Sequence, residues 1–436
     1  MNEKMIEFEA QKSIVKRQVL IVVLFVVLVF AIFNDILRIP GTGITFYRAL
    51  IPACISLILL YEKYAKPFLS LILVLSVVSL FQQVIFYKVE RPDLTFSLTT
   101  NLSAYIWYVL AIIVFFVVKC IKDNKSIQFE EKMYNFIIYM GFAIMAVTFV
   151  DRLDTIFFNS SFFGALEVDN ENNYGCSIAA VFPFFLAEFH KRKGIRDIIG
   201  IILSFLITYI NDSKAVLFGM FLAFIVYLCI YKAAQNWKQM FFNRYLIIIS
   251  GILLIIGLIA INPTIHGYDL RGTIGEPIIR ILSNDPYPSY TSSVSYRTNT
   301  TLFCLMQLFK SGFLGVGIGN TGVLLKNEFP DLNPEYVLVR SSNTISLHNS
   351  WLEFALDLGI IALIIYFFII RYAIRIFFMK KKINTIEMVR VIFIMSFPIW
   401  SISASGIYTI YFIFIVIAYL LFANPERELW EKEAIK

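Results

Sequence analysis

The sequence predicts an all-α integral membrane protein with about twelve transmembrane helices and one large extracytoplasmic loop containing short helices. Three observations predict it. The chain has 436 residues, 58% of them hydrophobic and 16% charged, and a mean hydropathy of +0.74. That is more apolar surface than a water-soluble fold could hide. The apolar residues fall into windows of roughly 17–22, the length that crosses a bilayer as a helix. The junctions between windows alternate between rich and poor in lysine and arginine.

The windows lie near 18–33, 44–61, 67–87, 101–118, 133–150, 174–189, 197–210, 215–231, 245–261, 350–370, 388–404 and 407–423. The first follows a polar N-terminus without a small-residue cleavage site, so it reads as a retained helix. The last two are separated by Ser401-Ile402-Ser403-Ala404-Ser405-Gly406, which suits either a tight turn or a kink in one long helix. With the N-terminus inside, the cytoplasmic segments hold 26 of the 38 basic residues, and six of the other 12 lie in one long loop. His190-Lys191-Arg192-Lys193 and Lys380-Lys381-Lys382 are cytoplasmic anchors, and both termini are expected in the cytoplasm. The organisation is then transmembrane helices over 1–261, an extracytoplasmic loop over 262–349, helices again over 350–423 and a cytoplasmic tail over 424–436. The acidic stretch Asp151–Asn173 is also expected outside.

Composition excludes some functions. The net charge of +7 does not indicate nucleic acid, because the basic residues sit at membrane edges. Cys54, Cys120, Cys176, Cys229 and Cys304 are scattered, with no CxxC or Cys/His spacing, and read as packed thiols. There is no internal repeat of the kind transporters carry, and charges are not buried mid-span in several helices as coupled carriers need, the exceptions being Glu353 and Asp357 in the tenth and Arg48 in the second.

The long loop holds most of the chemistry-bearing residues. Residues 263–293 are rich in Pro, Gly, Ser, Tyr and Asp and read as irregular. From Ser295 to Lys310, Leu302, Leu305, Met306 and Phe309 recur at helical spacing, an amphipathic helix that lies on the membrane or caps a cavity. Arg297 sits at its start. Gly312-Phe313-Leu314-Gly315-Val316-Gly317-Ile318-Gly319-Asn320 implies tight turns or close backbone approach. Without a strand-to-helix unit around it, it is no dinucleotide fingerprint. The loop ends in Ser346-Leu347-His348-Asn349-Ser350-Trp351-Leu352-Glu353.

His348 is one of only three histidines; His190 belongs to a basic anchor and His266 is a plain loop residue. His348 reads either as an interfacial helix-capping group or as a proton acceptor working near neutral pH. Glu353 and Asp357 are four apart and share a helix face. Asp357 falls roughly 13 Å beyond His348 along a regular helix. The two acids read as a polar pair facing the bundle interior or as functional groups. Asn211-Asp212-Ser213-Lys214 forms a short outer turn that brings a cation to the bundle mouth, where a lysine is otherwise simply solvated. Asn170–Gly175 opens the sixth window and is also compatible with a helix cap.

Taken in order, Asn172-Asn173-Tyr174-Gly175, Asp212-Ser213-Lys214, Arg297 with Gly315-Val316-Gly317-Ile318-Gly319-Asn320, and His348-Asn349-x-x-Leu352-Glu353 with Asp357-x-Gly359 resemble the motifs of one family. It is the O-antigen polymerase and O-antigen ligase superfamily of bacterial membrane glycosyltransferases. The resemblance covers residues 170–370; the first five windows match only as hydrophobic helices. It implies a polymerase in the bacterial cytoplasmic (inner) membrane. Such an enzyme joins polyprenyl-diphosphate-linked oligosaccharide repeat units into O-antigen, capsule or exopolysaccharide at the outer face. The implied partners are that lipid-linked oligosaccharide, the lipid bilayer, and a chain-length regulator and flippase of the same pathway. The alternatives are a ligase that moves a finished glycan to a lipid or other acceptor, and a non-enzymatic polysaccharide flippase or exporter. The resemblance implies that Arg297 stabilises charge developing on the diphosphate, assisted by Lys214 and Arg48. The family commonly has Arg where this chain has Lys214, which acts as a point charge and cannot grip phosphate bidentately. His348 would be the general base or would orient the acceptor, and Glu353 would orient the histidine or bind sugar. Asn172, Asn349 and Asp357 would bind substrate, and Asp169 and Glu171 would offer hydroxyl acceptors to the glycan. With no metal constellation in the sequence, a metal- and cofactor-independent transferase is expected.

Overall fold

The computed structural model describes residues 18–34, 36–40, 44–92, 98–124, 128–158, 171–211, 213–233, 293–329, 347, 349–379, 383–403 and 410–425. Among them the regular elements are helical, and strand-type pairing is limited to an isolated antiparallel bridge between Arg38 and Thr45. In chain order the helices are α1 (Gln18–Ile32), α2 (Phe46–Leu60), α3 (Glu62–Ile85), α4 (Leu98–Asn124), α5 (Phe129–Phe158), α6 (Glu171–Arg192), α7 (Ile195–Ile210) and α8 (Lys214–Ala233). Then follow α9 (Ser293–Lys310), α10 (Asn320–Asn327), α11 (Ser350–Leu358), α12 (Ile360–Met379), α13 (Thr385–Trp400) and α14 (Tyr411–Phe422). Glu62–Glu90, Ala104–Asn124 and Phe129–Arg152 are long and apolar enough to cross a membrane. The chain is a helical protein with the character of a membrane protein.

Helix α6 is the centre of the bundle. Phe182, Phe184 and Phe185 are fully buried, and α5, α7, α8, α13 and α14 all pack on it. Where α8 crosses α13 the backbones approach closely: a Cβ on Gly219 would lie 2.6 Å from Trp400 Cβ and 2.9 Å from its backbone nitrogen. Between helices in lipid, a small residue at the interface lets the backbones approach closely enough to pack.

The helix ends gather at two poles. At one, the α2–α3 and α4–α5 junctions meet the end of α14. Tyr64 donates to Asp123 Oδ2 at 3.0 Å, Tyr419 donates to the Glu130 carbonyl at 3.1 Å, and Arg390 of α13 donates to the Leu420 and Ala423 carbonyls at 2.8 and 2.7 Å. The adjoining start of α13 is set locally, by Asn384 accepting from the Glu387 amide at 2.9 Å while Glu387 accepts in return. This is the pole to which the charge count assigns the basic junctions. At the other pole lie the α1–α2, α3–α4, α5–α6 and α7–α8 junctions and a second, smaller core. Phe86, Tyr108, Phe303, Leu308, Ile318, Leu325 and Leu356 belong to that core, which joins α9, α10 and α11 to the ends of α3 and α4.

Each expected window except 245–261, which lies outside the described residues, holds a helix. The tenth window is corrected. It is two helices, not one over 350–370, because α11 stops at Gly359 (φ +59°) and α12 begins at Ile360. The cause is tertiary: the Leu314 carbonyl, brought in by the glycine run, lies where a side chain on Gly359 would be, and the chain turns there through a backbone conformation that glycine alone adopts easily. Asp357 therefore sits in the last turn of a nine-residue helix. Between the last two windows α13 ends at Trp400 and passes into the 3-10 turn Ser401–Ser403, and α14 is a separate helix. Pro398, two residues before the stop, suits that ending.

Candidate functional site at the second pole

The glycine run forms a tight loop between α9 and α10. Gly312, Gly315, Gly317 and Gly319 all have positive φ, and Phe313 does too. The Val316 amide donates to the Leu356 carbonyl at 2.8 Å, which fastens the loop to α11. Side chains of α3 hold its other edge. Gln82 Nε2 donates to the Leu314 carbonyl at 2.7 Å and Gln83 Nε2 to the Ile318 carbonyl at 2.9 Å. Asn320 Nδ2 donates to Gln83 Oε1 at 2.9 Å, while Asn320 Oδ1 accepts from the Tyr87 hydroxyl at 3.0 Å. Tyr87 lies in the π-helical turn Phe86–Glu90 that ends α3. The same end of α3 supplies Arg91, which pairs with Glu328; Glu328 also accepts from Gln307 of α9 at 2.8 Å.

Asp357 is the second fastening. Its carboxylate accepts from Thr321 at 2.7 Å, from the Tyr108 hydroxyl of α4 at 2.9 Å and from the Gly319 backbone. It is 2% exposed. The geometry gives Asp357 the bonds of a buried anchor joining α11 to α4 and α10. Glu353, one turn earlier, is buried beside it. Cys304 faces both acids; burial first, then the two carboxylates, holds its thiol well above the ordinary range. It is an inert packing group.

The segment around His348 is tied down on both sides. His348 itself lies outside the described residues, as does His266. Thr300 of α9 donates to the Leu347 carbonyl at 3.4 Å, and Asn349 Nδ2 donates to Thr301 Oγ1 at 3.1 Å. Asn349 is also the N-cap of α11, its Oδ1 accepting from the Leu352 amide at 3.3 Å. Arg297 lies in α9, four residues before Thr301, and its side chain is not among those described.

Helix α11 in turn touches the 401–403 turn, which touches α6 and α8. There the remaining motifs meet. Gly175, near the start of α6, faces the α7–α8 turn, where a Cβ would lie 2.9 Å from Ser213 Oγ. Asn211 Nδ2 donates to Ser213 at 3.3 Å, and Cys176 donates to the Trp400 carbonyl at 3.4 Å. Asn172 and Lys214 open α6 and α8 beside one another, their side chains undescribed; Asp212 and Asp169 lie outside the described residues. The segments of the first and second motifs, separate in sequence, thus meet directly, and α11, which carries the fourth, touches the 401–403 turn that both α6 and α8 touch. The third, the glycine run, is bonded to α11.

Sequence reasoning missed Arg152. It reaches from α5 and donates through Nε to Asn211 Oδ1 at 2.9 Å. It brings a guanidinium beside the N-termini of α6 and α8, whose dipoles present partial positive charge. Its proximity to the Asp-Ser-Lys turn is a tertiary contact with no local signature. Arg48 is exposed, its guanidinium 4.4 Å from the Trp107 ring centroid. Trp107 stacks on Tyr411, which also touches Tyr47, so Arg48 marks the same pole from the α2–α4–α14 side. At the opposite pole a cleft of about 620 Å³ is lined by Lys63, Lys122, Asp123, Glu130, Leu421, Phe422, Ala423 and Asn424. None of the residues singled out in the sequence lines it. Compared with models of protein families, with curated proteins and with solved structures, the chain finds no match.

Proposed function

We propose that the protein is a membrane glycosyltransferase that polymerises polyprenyl-diphosphate-linked oligosaccharide repeat units at the outer face of a bacterial cytoplasmic membrane. One observation carries this reading beyond the resemblance: α6, α8 and α11 all touch the 401–403 turn, and Gly175 near the start of α6 faces Ser213 of the α7–α8 turn. An arrangement that gathers separated polar motifs at one end of an apolar bundle suits a substrate with a lipid tail and a charged, sugar-bearing head. In this reading Arg152, Lys214 and the N-termini of α6 and α8 receive the diphosphate, whose departure needs positive charge more than a general acid. Arg297 and Arg48 add charge from neighbouring helices. His348, next to the cap of α11, accepts the proton of the attacking sugar hydroxyl or orients that hydroxyl. Glu353 supports it from the first turn of the helix, and Asn349 fixes where the helix begins. The gathering of the basic junctions at the opposite pole supports the inside orientation of both termini.

The test is reconstitution of purified protein with a polyprenyl-diphosphate-linked repeat unit, with glycan length as the readout. A ladder is expected from the wild type, and His348→Ala is expected to slow it by about 10²–10⁴-fold, as loss of a general base does. Arg297→Ala is expected to slow it as well. Transfer of one finished glycan to a second acceptor without a ladder would make the protein a ligase. Movement of intact lipid-linked substrate between leaflets with no transfer would overturn the enzymatic reading in favour of a flippase.

A further inference from the structure

Helix α9 is apolar on two opposite faces. Phe303, Cys304, Gln307 and Leu308 are buried on the face that meets α11. On the other, Leu302, Met306 and Phe309 are 54%, 47% and 65% exposed. At 3.6 residues per turn these three fall within about 60° of arc, roughly opposite the buried face. Lys310, the last residue of the helix, is the exposed charge beside them.

The stripe continues past the helix. Phe313 and Leu314 extend it into the glycine loop and are exposed. Leu314 sits between two other helices: its carbonyl accepts from Gln82 of α3 and lies against Gly359, immediately before α12. Phe81 and Val84 of α3 and Ile360 and Ile361 of α12 are exposed on either side. The α3 stretch Glu62–Glu90 is itself long and apolar enough to cross a membrane. The outward face of α9 is therefore continuous with the exposed apolar surface of a helix long and apolar enough to cross a membrane.

We infer that α9 is an interfacial helix whose outward face lies in the acyl-chain boundary of the leaflet at this pole, with the bilayer as its partner. The apolar face of such a helix is buried about 5–10 Å into the headgroup–acyl boundary, and Lys310 reaches back to the phosphates from its end. Hydrogen bonds from α3 and α4 to the glycine loop and Asp357 fix that depth, so α11 is seated at the membrane surface. The inference depends on the chain being a membrane protein and not on its being a glycosyltransferase.

The test uses the wild-type chain in phosphatidylethanolamine–phosphatidylglycerol vesicles, photolabelled in parallel with a lipid-soluble and a water-soluble diazirine and read by peptide mass spectrometry. The lipid-soluble reagent is expected to label Leu302, Met306 and Phe309 as it labels Phe81. The water-soluble one is expected to spare them while labelling Lys326. Labelling of the three by the water-soluble reagent alone overturns the inference. Protection from both reagents also overturns it, and points to a second copy of the chain covering the stripe.

Discussion

Replacing Gly315 by alanine tests how the glycine loop is fastened to α11. Gly315 has φ +79°, and a Cβ there would lie 2.6 Å from the Gly359 nitrogen and 2.7 Å from the Leu356 carbonyl oxygen. Both are backbone atoms, so no side chain can swing aside. The left-handed conformation costs alanine about 1–2 kcal/mol, and crowding into a packed site adds about 1–3 kcal/mol. If the loop opens locally to relieve a total of about 2–5 kcal/mol, its amides exchange with solvent about thirty-fold to a few thousand-fold faster. Gly312→Ala is the internal control. Its φ is also positive, at +59°, but nothing lies within 4 Å of the added atom, so it carries only the conformational cost of about 1–2 kcal/mol. Hydrogen exchange with mass spectrometry on purified protein in detergent, followed over residues 312–329, measures both. Equal acceleration in the two variants, or none in Gly315→Ala, would refute the claim that backbone contact with α11 is what holds the loop.

Three more predictions concern stability. Tyr108→Phe and Asp357→Asn each remove or weaken the 2.9 Å bond between α4 and α11 and are expected to cost about 1–3 kcal/mol. A double-mutant cycle by thermal melting should show them to be non-additive, and simple additivity would mean the bond contributes nothing. Gly219→Ala puts a methyl into the contact between α8 and Trp400 of α13 and should destabilise the bundle by about 1–3 kcal/mol; detergent-solubilised protein that melts like wild type would contradict this. Arg196→Ala leaves the fully buried Glu188 with Arg192 as its remaining ion-pair partner at 3.3 Å. The loss of a hydrogen bond to a charged group costs about 1.5–3 kcal/mol. Size-exclusion survival after heating should show the loss, with Arg196→Lys recovering part of it.

The helices were legible in the sequence because hydropathy records the solvent each segment meets. The windows at 101–118 and 133–150 fall inside α4 and α5. The glycine run could be read for close backbone approach because φ above zero is a local demand on residue type. The broken tenth window was not legible. Nothing in Ser350–Ile370 forbids one continuous helix except the Leu314 carbonyl, and that atom arrives from elsewhere in the chain. Asp357 was read beside Glu353 for the same reason: spacing puts both on one face, while the donors that occupy Asp357 come from α4 and α10. Gln82 and Gln83 did leave a signal, since adjacent amides near the end of an apolar helix need partners. Which partners could not be read from the sequence. Nor could Arg152, whose link to Asn211 depends on how α5 leans on α7.

The grip of α3 on the glycine loop also orders events during synthesis. Gln83 and Asn320 are 237 residues apart, and chains grow at about 5–20 residues per second. By that rate α3 emerges about 10–50 seconds before the loop that occupies its glutamines. Through that interval two amides stand at the end of an otherwise apolar helix, satisfied only by water or headgroups. The nascent helix is therefore held with its glutamine end at the membrane surface until α9 and α10 arrive and take up those amides.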